Sequence, residues 1–105
     1  MAAQQQMLIE HFKQLGAQVE RQDFRIRHPQ TGAAVPLSNL IVRWHPDRKE
    51  RVLVAAHYDT RPFPDQDPRS PRGRFVGAND GASGVAVLME LGREIAALDG
   101  RYGVD

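Results

Sequence analysis

The chain has 105 residues, with 14 Lys+Arg against 13 Asp+Glu and a formal net charge of +1. It is one small domain at most, and without a basic block it has no electrostatic footprint for nucleic acid or for a polybasic membrane contact. There is no Cys, which excludes disulfides and thiolate metal sites and leaves His and carboxylates as the only strong metal ligands.

No apolar run approaches the roughly 20 residues of a membrane-spanning helix. Met1 to Gln6 lack the basic start and apolar stretch of a secretory signal. The compartment stays open: a chain without Cys suits cytosol and periplasm alike, and a periplasmic or secreted full-length protein is compatible with it.

In chain order, residues 4–15 read as a helix. Met7, Leu8, His11, Phe12 and Leu15 recur at helical spacing, and Gly16 stands where a stop belongs. Residues 18–27 read as a strand with Val19, Phe24 and Ile26 as its apolar positions, although the alternation breaks across Arg21-Gln22-Asp23. His28-Pro29-Gln30-Thr31-Gly32 is turn chemistry. Residues 39–44 form a second strand, ended by His45-Pro46-Asp47, and the two strands are expected to pair antiparallel.

Residues 51–56 differ in kind. Val52-Leu53-Val54-Ala55-Ala56 is continuously apolar, as in a strand covered on both faces, and it runs directly into His57. Residues 58–79, with Pro62, Pro64, Pro68 and Pro71, form an irregular stretch of about 20 residues, a length that in a compact domain is usually functional or disordered. A helix follows over Ala82–Leu98, with Val85, Leu88, Leu91, Ile95 and Leu98 on one stripe and Gly100 as its stop. Arg101 to Asp105 turn into what reads as another strand, Val104 its first residue. A sheet that needs a following parallel strand does not receive it within this sequence, so the chain reads as a fragment. The fold class is α/β, a mixed sheet that is antiparallel at its start with helices packed on it.

Two segments carry chemistry. His57 and Asp59, at i and i+2 on a strand end, point the same way. Such a His can ligate a metal through one ring nitrogen while the carboxylate orients it; a solvent-exposed His at a strand terminus is the plainer alternative. Asp80 opens the helix after Gly77-Ala78-Asn79. As an N-cap its carboxylate would accept from the N–H of Ser83. Yet three Gly and two Ala from Gly77 to Gly84 leave little side-chain bulk and allow a close backbone approach that capping does not require. Both segments lie at the carboxyl edge of the sheet, where α/β folds keep their ligand sites. There Asp80, facing His57, can bind one divalent ion or bridge two.

Other candidates are weaker. Asp65 and Asp67 lack the Gly and distal Glu of a calcium loop. His11 belongs on the apolar helix face, His28 and His45 have no partner spacing, Trp44 reads as core or strand edge, and no Gly-Lys-Ser/Thr follows the glycines to make a phosphate loop.

At Val52-Leu53-Val54-Ala55-Ala56-His57-Tyr58-Asp59-Thr60 and at Gly77 to Leu91 the chain resembles the co-catalytic zinc aminopeptidases and their relatives, the animal-type glutaminyl cyclases. Phe24 through Trp44, with Gln30-Thr31-Gly32 and Ser38-Asn39-Leu40-Ile41, resembles the cyclases. His57 to Pro62 and Asp67-Pro68 resemble bacterial cyclase-like members. Gly81-Ala82-Ser83-Gly84 is instead the aminopeptidase-like form of the second motif. The resemblance implies a three-layer sandwich of about 250–300 residues, zinc exopeptidase-like, of which residues 1–105 are the N-terminal part.

By that resemblance Asp80 matches the family's zinc-binding Asp, which bridges two ions in the aminopeptidases. His57 matches a ligand of the second ion in dinuclear members and a non-ligating residue in single-zinc cyclases. Asp59 matches the carboxylate that supports that His. The acid/base Glu and the remaining ligands fall downstream of residue 105, so no catalytic residue is assigned within the chain. The cyclase form implies one zinc, conversion of an N-terminal Gln to pyroglutamate and loss of ammonia. The aminopeptidase form implies two zinc ions and hydrolysis of the first peptide bond. In both, the substrates are peptide or protein N-termini. The rival expectation is a non-catalytic fragment or interaction module, since two protein ligands are fewer than a zinc site normally has and an open sheet edge invites association.

Overall fold

The computed structural model describes residues 2–105. The elements run α1 (Ala2–Gln14), β1 (Gln18–Arg27), β2 (Ala34–Arg43), β3 (Glu50–Val52), α2 (Ala82–Ile95) and β4 (Tyr102–Val104). Helix α1 buries Leu8, Ile9 and Phe12. Its inward stripe is therefore centred one position away from the expected one: Ile9 is packed, whereas Met7 is 53% exposed.

Strands β1 and β2 form an antiparallel hairpin in register from Gln18↔Arg43 to Arg27↔Ala34. Strand β2 begins at Ala34, five positions earlier than the sequence suggested, because pairing with β1 carries the extended backbone through Pro36. The break in alternation at Arg21-Gln22-Asp23 has a physical cause. These side chains meet polar partners: Ser38 Oγ donates to Asp23 Oδ1 (2.7 Å), Asn39 Nδ2 to Gln22 Oε1 (2.9 Å) and Arg21 Nη2 to Asp23 Oδ1 (3.0 Å). In the connecting turn, His28 Nδ1 accepts from the N–H groups of Gln30 and Thr31.

Strands β3 and β4 pair in parallel, Glu50↔Tyr102 to Val52↔Val104. The strands thus form two two-stranded sheets, β1-β2 antiparallel and β3-β4 parallel, and an isolated antiparallel bridge between Trp44 and Val104 links them just past the end of β2. The core forms at this junction. Phe12, Ala17, Trp44 and Ile95 are buried together, with Leu15, Val42, Leu88 and Val104 packed around them.

Arg51 fastens the junction. Its Nε and Nη2 donate to the two Asp105 carboxylate oxygens (2.9 and 2.8 Å), and its remaining N–H groups donate to the carbonyls of Trp44, His45, Arg48 and Val104. The ion pair and hydrogen bonds to Asp105 raise the guanidinium pKa above its ordinary value. The guanidinium lies over Gly103, in the space that any side chain there would occupy. Nothing in the periodicity of the sequence pointed to this cluster.

Two expectations need correction. The apolar run through Ala56 is not covered on both faces. Within these residues Val52, Leu53 and Val54 are 45, 78 and 40% exposed, and the run opens onto a groove of about 1120 Å³ lined by the hairpin, the run itself and α2. Helix α2 stops at Ile95 rather than Leu98, and of its stripe only Ile95 is buried; Leu91 faces the same groove. No helix among the described residues is long and apolar enough to cross a membrane.

Candidate metal centre

His57 sits between two carboxylates. Its Nδ1 lies 3.2 Å from Asp59 Oδ1, and 3.2 Å from the Asp59 carbonyl oxygen, while its Nε2 lies 3.1 Å from Asp80 Oδ1. The three side chains remain more than half exposed. The expectation that His57 and Asp59 share a side, with Asp80 facing them, agrees with this geometry.

The capping alternative for Asp80 does not hold. The residue that caps α2 is Gly81, with no side-chain cap bond, and the N–H of Ser83 donates to the carbonyl of Asn79 instead. The Asp80 carboxylate is thereby left to face the imidazole. Gly81 has φ +99°, a left-handed conformation, and a Cβ there would lie 3.1 Å from the Asp59 carbonyl and 3.3 Å from His57 Cε1. The glycine thus meets two requirements at once: the turn into α2 and the close approach of that turn to the His57 ring.

The donor set has a chemical consequence. Ionised carboxylates only accept hydrogen bonds. A neutral imidazole has one N–H for the two carboxylates, so at one ring nitrogen a lone pair meets an oxygen; where the N–H is the one at Nδ1, that place is between Nε2 and Asp80 Oδ1 at 3.1 Å. A proton there makes His57 an imidazolium bridging two carboxylates; a divalent cation there makes it a ligand. The separation is close to the roughly 3.3 Å spanned by two ligands each about 2 Å from a tetrahedral zinc. Asp80 and His57 Nε2 thus stand side by side at a distance that two ligands of one zinc would span, and Asp59 lies at the other ring nitrogen, where a carboxylate can orient a ligating imidazole. Among the described residues no group of three or more His, Cys, Asp or Glu side chains could hold a metal.

The remaining candidates have local explanations. Asp65 pairs with Arg61 (2.9 Å) and Asp67 accepts from the N–H of Arg69. His11 Nε2 lies 3.0 Å from the carbonyl of Met89, and His45 Nε2 lies 3.2 Å from that of Ile95. Trp44 is core. One residue of the site segment received no role from the sequence. Tyr58, half-buried, bonds to both α1 and β2 through its hydroxyl. Its position between His57 and Asp59 was the only available signal.

Comparison with known proteins agrees with this geometry. A model of the peptidase family M28 matches residues 39–104. Glutaminyl-peptide cyclotransferase from Bos taurus is 40% identical over 58 residues, covering 55% of this chain and 15% of that protein. Among solved structures, glutaminyl cyclase from Fimbriiglobus ruber superposes with a TM-score of 0.93 at 43% identity, over 99% of this chain and 35% of that one. A Zn-dependent exopeptidase from Parabacteroides distasonis gives 0.87 at 33% identity, over 98% and 36%. The chain thus spans about a third of the length of the solved structures that it matches.

Proposed function

The chain belongs to peptidase family M28, and from that premise we propose that it is the N-terminal, metal-facing part of a zinc-dependent glutaminyl-peptide cyclotransferase-like enzyme. The observation that carries the reading is the His57–Asp80 pair with Asp59 behind the ring, in a chain 43% identical to a glutaminyl cyclase over nearly its whole length.

The reaction joins the α-amino nitrogen of an N-terminal Gln to its side-chain amide carbon. The bond from that carbon to the amide nitrogen breaks and ammonia leaves, its extra proton coming from the α-amine. Zinc, when bound, supplies Lewis-acid polarisation of the carbonyl under attack. Asp80 is the residue of this chain that holds the ion. In a single-zinc centre, His57 fixes the Asp80 carboxylate through Nε2 while Asp59 holds the ring from behind. The carboxylate that moves the proton, and the other ligands, are assigned to polypeptide beyond Asp105.

A second reading has its own support. Gly81-Ala82-Ser83-Gly84 is the aminopeptidase-like form of the motif, and the similarity to a Zn-dependent exopeptidase is nearly as close. In that reading Asp80 and His57 would both hold metal, two zinc ions would activate a water, and the substrate would be hydrolysed at its first peptide bond.

The test is made on the protein expressed from its complete reading frame. Metal content is measured before and after His57→Ala, with assays for cyclisation of a Gln-terminal peptide and for release of an N-terminal residue. One zinc retained by His57→Ala, with cyclisation, is the expected result. Two ions, one lost with His57, together with hydrolysis would establish the aminopeptidase. Zinc binding unaffected by Asp80→Asn would overturn both.

A further inference from the structure

Building on the metal-site reading above, we propose that Tyr58 is a positioning residue whose hydroxyl holds the His57–Asp59 segment in register against α1 and β2. The observation that points to it is the pair of hydrogen bonds made by the Tyr58 hydroxyl, which join the site segment to α1 and β2.

The Tyr58 hydroxyl donates to the backbone carbonyl of Ser38 and accepts from Gln5 Nε2 at 3.1 Å. One phenol ties the site segment to a strand and to a helix. The Gly81 backbone approaches the His57 ring. The imidazole is held between these two constraints, and only one of them, the hydroxyl, can be removed without altering a side chain that touches the ring. Tyr58 touches neither Asp80 nor His57 Nε2 in this arrangement, so its effect passes through the backbone of residues 57–59.

The experiment compares wild type with Tyr58→Phe, which keeps the ring and removes the hydroxyl, in the protein made from the complete reading frame. Three readouts are taken: zinc affinity by competition with a chelator, the ¹⁵N signals of the His57 ring in the metal-free protein, and kcat and KM separately. The expected result is zinc binding weakened by about tenfold, at the low end of losses seen when a ligand's supporting group is removed. The His57 ring signals should shift and broaden relative to wild type, and kcat should fall with KM little changed. Gln5→Leu, which removes only the donor to the hydroxyl, should move the same signals less, and it serves in place of Tyr58→Phe if that variant does not fold. Wild-type zinc affinity and unchanged His57 signals in the folded variants would overturn the proposal. Asp80→Asn separates this failure from that of the underlying reading. If it loses zinc while Tyr58→Phe does not, only the positioning role falls; if it keeps zinc, the metal-site reading falls with it.

Discussion

A methyl group in place of the Gly81 α-hydrogen would lie 3.3 Å from His57 Cε1 and 3.1 Å from the Asp59 carbonyl oxygen, on a residue already held at φ +99°. The turn that starts α2 and the ring between the two carboxylates therefore share one space. Gly81→Ala is expected to cost about 1–3 kcal/mol, as is typical of left-handed backbone forced on a residue with a side chain. It should also displace His57, so that zinc affinity of the full-length protein falls by more than the stability loss explains. Chemical denaturation and metal competition on the same preparation measure the two effects.

Gly103 and Arg51 stand in a similar relation. The guanidinium that binds Asp105 and four backbone carbonyls occupies the space where a residue-103 side chain would be. Gly103→Ala should destabilise by about 1–3 kcal/mol through overpacking. Arg51→Lys, which keeps the charge but loses the planar fork, should lower the denaturation midpoint as well. An unchanged midpoint in both variants would show that the β3–β4 junction does not depend on this cluster.

The hairpin has a pH dependence of definite sign. The Ser38 hydroxyl, and secondly Arg21, hold the Asp23 carboxyl below its ordinary value of 3.8. A carboxylate whose pKa is lower when folded contributes stability above its unfolded pKa and loses it as pH falls through the folded value. Ser38→Ala should therefore move the Asp23 pKa back up toward 3.8, so that the contribution begins to fade at a higher pH. A carboxyl ¹³C titration of the two proteins measures this directly.

The 105-residue chain by itself is expected to bind zinc weakly and to show no turnover, since it places two donor atoms side by side where zinc normally takes three or four protein ligands. Submicromolar zinc binding in isothermal titration would contradict this. With Leu53 78% exposed and Val54 40% exposed beside an apolar groove, the isolated chain should also associate as its concentration rises, which sedimentation velocity would detect.

Much of this architecture was legible in the sequence. Local periodicity set the two helices and the hairpin, because spacing of apolar side chains is a property of the chain itself; a last strand was expected to begin at Val104, whereas β4 begins at Tyr102 and Val104 ends it. The nearness of His57 and Asp59 was expected from their i, i+2 spacing, although residues 57–59 lie beyond the end of β3, and the small residues from Gly77 to Gly84 announced a close approach. Tertiary structure decided the rest. Asp80 has two local options, a cap and a partner across the sheet edge, and only the proximity of His57 Nε2 selects between them. The extent of β2 depended on ten residues of β1 lying alongside it, and the exposure of Leu53 on what packs over it. The roles of Arg51 and Tyr58 rest on contacts with residues more than fifty positions away in sequence, Asp105 and Gln5. No spacing rule encodes such contacts, because they exist only once the junction of β2, β3 and β4 has closed.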